Sequence, residues 1–157
     1  MCWLCDHPGA TFDDYLYQVE RIVARDCFAV QAVSGERRRA GFSYTVGLTE
    51  HDRPELLVTG LSRRRAHDLL CALAHHLLHA PAPPTGVPWP LRDGPVVEFV
   101  TVDVPDAHLG VAVALYGPTA VEALQVVWRD DHGRWPWDLG HRAGRGGQPV
   151  LGVRDGT

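Results

Sequence analysis

Residues 42–79 read FSYTVGLTEHDRPELLVTGLSRRRAHDLLCALAHHLLH and contain two strand-like runs followed by one helix-like run. The first run, 42–49, alternates and is rich in β-branched residues, and the second, 55–61, is apolar. Only a short turn separates them, so the sequence predicts an antiparallel pair. Ser62 can cap the helix that follows, which is predicted to end near His79. Its apolar residues fall within about 100° of one face. They are Ala66, Leu69, Leu70, Leu73 and Leu77.

Further elements are predicted on both sides of this stretch. Thr11, with Asp14 three residues later, indicates a helix start, and the helical pattern stops near Arg25. Strands are predicted over 27–33, 96–104 and 121–128, and a shorter helix over 107–116. The fold class is therefore α+β, a single domain over residues 1–157 with a mainly antiparallel sheet of about five strands and two to three helices. Residues 1–10 form a Cys/His-containing segment, and residues 139–157 a Gly/Arg-rich tail.

Composition excludes several classes of function. The 157 residues are 45% hydrophobic and 22% charged, which is typical of one globular domain. A net charge of −4 argues against general nucleic-acid binding, so no nucleic-acid partner is expected. All 15 basic residues are arginine, which rules out lysine Schiff-base or P-loop chemistry. The sequence shows neither a signal peptide nor the roughly 18 apolar residues of a membrane helix, so we expect a cytoplasmic protein.

The N-terminus carries the most informative cluster, a Cys-x-x-Cys-x-His sequence formed by Cys2, Cys5 and His7. Two residues between the cysteines let both sulfurs face one point, as in a zinc knuckle or a dithiol. No second Cys-x-x-Cys follows, so a distant residue has to complete a metal site. His75 and His79 have the i, i+4 spacing of a two-histidine metal pair and are possible additional ligands. Inert thiols and a solvated helix face are the alternatives.

Other candidates lie near predicted turns. His51 and Glu55 flank the turn between two strands, where acid–base use competes with simple solvation. An acidic group around Asp130 and Asp138 offers oxygen ligands, although a hairpin turn explains it as well. Aromatic residues such as Trp135 and Trp137, interleaved with arginines, either clamp an anionic or planar ligand or cover the sheet.

The sequence resembles a bacterial family known as domain of unknown function 4262. The resemblance rests on four blocks in order: CWLCDHPGAT, FSYTVGLTEHDRPELLVTGL, ALQVVWRDDHGRWPWD and GGQPVLG. It implies that the opening with Cys2 and Cys5, the strand 44–48 and the segment 135–138 belong to recurring patterns. Because these three patterns recur, we expect them to meet in space. The resemblance implies no catalytic mechanism.

Three hypotheses of function follow. In the first, a small intracellular domain binds zinc through Cys2, Cys5 and His7, because mixed sulfur–nitrogen ligation suits this metal, and the site is structural or catalytic. In the second, a metal-free regulatory domain binds a small molecule or a protein in a pocket between the Trp-rich tail and the strand 44–48. Tyr44, His51, Trp135 and Trp137 are its candidate ligand-binding residues. In the third, Cys2 and Cys5 form a redox-active pair.

Overall fold

The computed structural model describes residues 3–144 and 147–154. Within these ranges the chain forms four α-helices and seven β-strands. The helices are α1 (Trp3–Asp6), α2 (Phe12–Asp26), α3 (Arg63–His79) and α4 (Gly110–Tyr116). The strands are β1 (Ala29–Val33), β2 (Phe42–Val46), β3 (Glu55–Thr59), β4 (Trp89–Pro90), β5 (Val96–Val102), β6 (Ala123–Trp128) and β7 (Gly152–Val153). Short 3-10 turns occupy Leu48–His51, Pro105–Ala107 and His141–Gly144.

All seven strands join one sheet. Six of them follow the order β1-β2-β3-β6-β5-β4, and β7 pairs with β5. The pairings are antiparallel except for β3 and β6, which run parallel with Leu57 opposite Gln125. Because β3 and β6 are parallel, the turn that precedes β3 and the segment that follows β6 lie at opposite ends of the sheet.

Helices cover both faces of the sheet. The leucines of α3 pack against one face, where Leu56, Phe99 and Val126 are fully buried. On the other face, α2 and α4 pack against a cluster centred on Leu57. The predicted apolar face of α3 is confirmed, since all five of its members are buried. Burial of each leucine contributes about 1.5–3 kcal/mol to folding.

Two of the three predicted helix starts are confirmed, whereas the helix predicted over 107–116 begins at Gly110, after the 3-10 turn Pro105–Ala107. The Thr11 hydroxyl accepts the Asp14 N–H at 3.2 Å, while the Asp14 carboxylate accepts the Thr11 N–H at 2.8 Å, which is a complete capping box. The Ser62 hydroxyl accepts the Arg65 N–H at 3.3 Å at the start of α3. At the other end of α2, Cys27 adopts a left-handed conformation with φ 73° and ends the helix.

The α+β class is confirmed, but the predicted counts of strands and helices are too low. About five strands were expected and seven are present in the described residues, because β4 and β7 are two-residue strands that pair with β5. The helix that was not predicted is α1, which is only four residues long. The strand predicted over 42–49 ends at Val46, because Gly47 has φ 123° and a 3-10 turn follows. No helix in the described part of the chain is long and apolar enough to cross a membrane.

Candidate functional site

The N-terminal segment is held against α2 by aromatic contacts. The ring of Trp3 lies 5.9 Å from that of Tyr15 in α2, measured between centroids. The imidazole of His7 stacks on the Trp3 ring, with the two centroids 4.2 Å apart and an interplanar angle of 17°. Nδ1 of His7 donates a hydrogen bond to the Trp3 carbonyl oxygen at 2.8 Å. The ring is therefore oriented, and Nε2 carries the lone pair when the imidazole is neutral.

A groove of about 550 Å³ runs between this segment and α2. Its walls combine aromatic rings with two carboxylates. They are formed by Trp3, Asp6, His7, Pro8, Ala10, Asp14, Tyr17 and Gln18. One oxygen of Asp14 is already engaged in the capping box, whereas Asp6 and His7 follow one another along the groove. The groove thus contains a predicted metal ligand beside a carboxylate.

The cysteines of the predicted metal site are only partly described. Cys5 lies on α1 and is exposed, while Cys2 falls outside the described residues. Among residues 3–144 and 147–154, no three His, Cys, Asp or Glu side chains come close enough together to hold a metal ion. The predicted N-terminal metal site would therefore need Cys2 as a ligand.

The structure does not bring His75 and His79 to this segment. Both histidines lie on α3, which packs on one face of the sheet, whereas α1 packs on α2 at the opposite face. His75 meets the ring of Phe28 edge-on, with centroids 5.2 Å apart, and His79 is exposed in the last turn of α3. The sheet thus separates His75 and His79 from Cys5 and His7.

Sequence reasoning missed a second pair on α3. His67 and Cys71 are spaced i, i+4, and the Cys71 sulfur lies 3.7 Å from the imidazole nitrogens of His67. The spacing alone predicts that the two side chains are neighbours on a helix. Burial, followed by the nearby charge of Asp68, raises the pKa of the Cys71 thiol. A raised pKa disfavours the thiolate, so this cysteine lacks the activation of a nucleophile.

Tyr44 and His51 lie apart from the Trp-rich segment. Tyr44 is 2% exposed, and its hydroxyl accepts the Val111 N–H at 3.0 Å, so it helps to hold α4 on the sheet. Burial raises the pKa of Tyr44 to about 12. His51 is exposed in the turn before β3, whereas Trp135 and Trp137 follow β6 at the other end of the sheet. The expected common pocket is therefore not assembled.

Trp135 and Trp137 form a four-layer stack with two arginines. Their rings are 5.4 Å apart at an angle of 15°. The Arg129 guanidinium carbon lies 4.8 Å from the Trp135 centroid, and that of Arg154 lies 3.7 Å from Trp137. Arg154 also donates to Glu98, a carboxylate that is 2% exposed, at 3.1 Å. The stack is joined to β5 through Arg154 and Glu98, and each indole already has a cation as a partner.

The acidic turn after β6 is engaged by main-chain amides. Asp130 accepts N–H groups from His132, Arg134 and Arg142 at 2.9, 2.9 and 2.6 Å. Burial alone would raise the pKa of Asp130, but these three hydrogen bonds lower it to about 2. Asp138 accepts the Trp135 N–H at 2.8 Å. Both carboxylates therefore stabilise the turn, as the simpler of the two interpretations expected.

Glu55 is the most completely engaged carboxylate near the predicted sites. It is fully buried, and it accepts from the Gly47 N–H, the Thr49 N–H and the Thr49 hydroxyl at 2.8–2.9 Å. The Thr45 hydroxyl donates to its other oxygen at 2.6 Å. Burial raises the pKa of Glu55 against the opposing effect of these hydrogen bonds. Glu55 thus fixes the turn between β2 and β3 instead of facing solvent as an acid–base group.

Comparison with protein-family models gives one match, to "Domain of unknown function (DUF4262)", over residues 22–142. The chain belongs to this family. Within the DUF4262 match lie Tyr44, Glu55 and the Trp135–Trp137 stack, all of which have structural contacts here. The N-terminal Cys-x-x-Cys-x-His sequence lies before the matched residues. Neither a curated protein nor a solved structure matches the chain.

Proposed function

We propose that this DUF4262 protein binds zinc through Cys2, Cys5 and His7. Two thiolates and one imidazole form a donor set that zinc prefers over harder cations. The spacing of the cysteines supports the proposal, because residues three apart lie on one side of a helical turn. In this proposal the protein is cytoplasmic, since thiol ligands stay reduced there.

The orientation of His7 is the observation that carries the proposal. Zinc-binding histidines generally donate their second ring N–H to a carbonyl or carboxylate, which fixes the tautomer and the ring. His7 already has this arrangement, with Nδ1 bonded to the Trp3 carbonyl at 2.8 Å and the ring stacked on Trp3. Nε2 is thereby preset as the ligand atom.

The fourth coordination position decides what the zinc does. If a protein group such as Asp6, which lines the groove beside His7, fills it, the metal is structural and fixes the conformation of the N-terminal segment. If water fills it, zinc lowers the pKa of that water to about 7 and supports hydrolysis. Cobalt substitution separates the two cases, because its visible spectrum reports coordination number and thiolate ligation.

The deciding experiment is elemental analysis of protein purified without a metal-affinity tag. We expect one zinc per chain in the unaltered protein and none in Cys5→Ser or His7→Ala. Two matched variants, Cys27→Ser at the end of α2 and His79→Ala on α3, should keep the metal. Zinc that persists in Cys5→Ser, or that is lost equally in the controls, would contradict the proposal. Protein without metal but with a reversible Cys2–Cys5 disulfide would establish the redox alternative.

The groove beside His7 favours metal-free ligand or protein binding as the second candidate. Its carboxylates and indole ring suit a cationic side chain, which gains from both charge and cation–π contact. Calorimetric titration with N-acetyl-arginine amide tests this directly. Binding that is lost in Trp3→Ala and in Asp6→Asn, in protein stripped of metal, would support it. Unchanged heats in both variants would exclude the groove as the site.

A further inference from the structure

Two arginine triplets lie at the same end of the sheet, where β2 begins and β3 ends. Residues 37–39 form the tip of the hairpin between β1 and β2, where Glu36 and Arg39 exchange main-chain hydrogen bonds. Residues 63–65 form the first turn of α3, directly after β3. Because Phe42 at the start of β2 pairs with Thr59 at the end of β3, the hairpin neck and the start of α3 are neighbours. We call the two triplets together the arginine edge.

A groove of about 250 Å³ lies between the two elements. Its walls come from the hairpin neck, with Ser34, Gly35, Gly41 and Phe42, and from Leu61 and Arg63 on the other side. The two neck glycines approach closely, since a Cβ on Gly35 would lie 2.7 Å from the Gly41 nitrogen. The groove therefore has a narrow main-chain wall, an apolar patch and a guanidinium at its rim.

The six positive charges of the arginine edge have no ion-pair partner among the residues that the structure describes. All six side chains are exposed, and none forms an ion pair within residues 3–144 and 147–154. The first turn of α3 contains no acidic residue, so three cations stand where the helix dipole is positive. Glu36 and Asp68 are the nearest carboxylates in sequence, and neither pairs with these arginines. A bound anion would offset the mutual repulsion of these like charges.

We propose that the arginine edge and its groove bind a small phosphate-bearing ligand. Guanidinium groups match phosphate oxygens with two parallel N–H donors, which favours phosphate over a simple carboxylate. The size of the groove suits a small ligand, and the net charge of −4 opposes a long polyanion such as nucleic acid. Phe42 and Leu61 provide apolar contact for the group that carries the phosphate. This site is independent of the N-terminal zinc site.

Isothermal titration with sodium pyrophosphate at constant ionic strength tests the proposal. The titration is repeated on the Cys2→Ser/Cys5→Ser variant, so that any chelation of zinc by pyrophosphate is separated from binding at the arginine edge. We expect Arg63→Gln, and separately a triple glutamine replacement of 37–39, to weaken binding roughly tenfold or more. Arg21→Gln on the exposed side of α2 removes the same charge elsewhere and should change affinity less than about twofold.

Two kinds of result would overturn the proposal. Absence of pyrophosphate binding, or equal weakening by Arg21→Gln, would mean that the triplets attract anions only through net charge. Tighter binding of a fluorescein-labelled single-stranded oligonucleotide, with the same dependence on Arg63, would replace the small ligand by nucleic acid. Thermal melting of every variant keeps the comparison valid, since these exposed side chains make no described ion pair and their replacement should not lower the melting temperature.

Discussion

At the scale of single residues, the buried carboxylate of Glu55 shows how one side chain replaces a stretch of backbone pairing. The described pairing of β2 with β3 stops at Tyr44 and Leu57. Beyond that point, Glu55 accepts the amides of Gly47, which is buried, and Thr49, which is half-buried, so both amides have a partner. Its location in the turn was apparent from the sequence, but its complete burial was not, because burial depends on the sheet around it.

We expect Glu55→Gln to lower the free energy of unfolding by about 1–3 kcal/mol. The Thr45 hydroxyl accepts the Leu56 N–H and donates its own proton to one carboxylate oxygen of Glu55. If the amide nitrogen of glutamine replaced that oxygen, two donors would face each other. Urea unfolding followed by circular dichroism measures the change. Glu122→Gln, an exposed carboxylate just before β6, is the control and should stay within about 0.5 kcal/mol. Equal effects in both variants would show that the hydrogen bonds of Glu55 are dispensable.

The lowered pKa of Asp130 predicts how the free energy of unfolding changes at acid pH. Its pKa in the folded protein is lowered to about 2, so the folded state holds this proton less tightly than the unfolded chain. Its contribution is therefore present above the unfolded pKa of about 3.9 and is lost as the pH falls toward about 2. Urea midpoints of the unaltered protein and of Asp130→Asn should converge over that range. A gap that stays constant with pH would contradict this role.

At the scale of elements, the sequence predicts helices and strands that have a periodic apolar pattern of their own. It misses short strands that form only by pairing with a neighbouring strand. The long helix α3 and the strands β3 and β5 were predicted to within a few residues, because each has a continuous apolar pattern. The strands β4 and β7 have two residues each and exist through their pairing with β5. For a related reason, the sequence did not show that His75 and His79 lie across the sheet from His7. Periodicity gives the buried face of a helix, but not which face of the sheet it covers.

Gly60, at the end of β3, tests a contact between distant elements. It has φ 79°, and a Cβ there would overlap the Gly147 carbonyl oxygen. Gly117 has a similar φ of 85° but open space around it. We expect Gly117→Ala to cost about 1–3 kcal/mol through backbone strain alone, and Gly60→Ala clearly more. Chemical denaturation of the pair isolates the cost of the overlap. Equal losses would mean that residues around Gly147 move aside freely.

At the scale of the whole molecule, the Gly/Arg-rich C-terminal region completes the sheet. The Pro149 carbonyl accepts from Thr59 and Gln125, and the Leu151 N–H donates to Gln125. The described residues 147–154 therefore supply partners for polar groups buried in β3 and β6. The sequence alone indicated only a Gly/Arg-rich tail, because glycine and arginine carry no strand signal. Its packing follows from polar groups elsewhere that need partners.

Removal of residues 147–157 should therefore abolish cooperative folding. Glu98 would lose Arg154, and the Trp128 N–H would lose the Gln148 side-chain oxygen, along with the partners of Thr59 and Gln125. Each buried group left unpaired costs about 1–3 kcal/mol, and several together approach the ~5–15 kcal/mol that holds a domain folded. We expect the shortened chain to show no sharp urea transition and to bind a hydrophobic dye. Gln148→Ala in the full chain should show an intermediate loss, because only one of these partners is removed. A shortened chain that unfolds cooperatively near the original midpoint would show that the sheet closes without this segment.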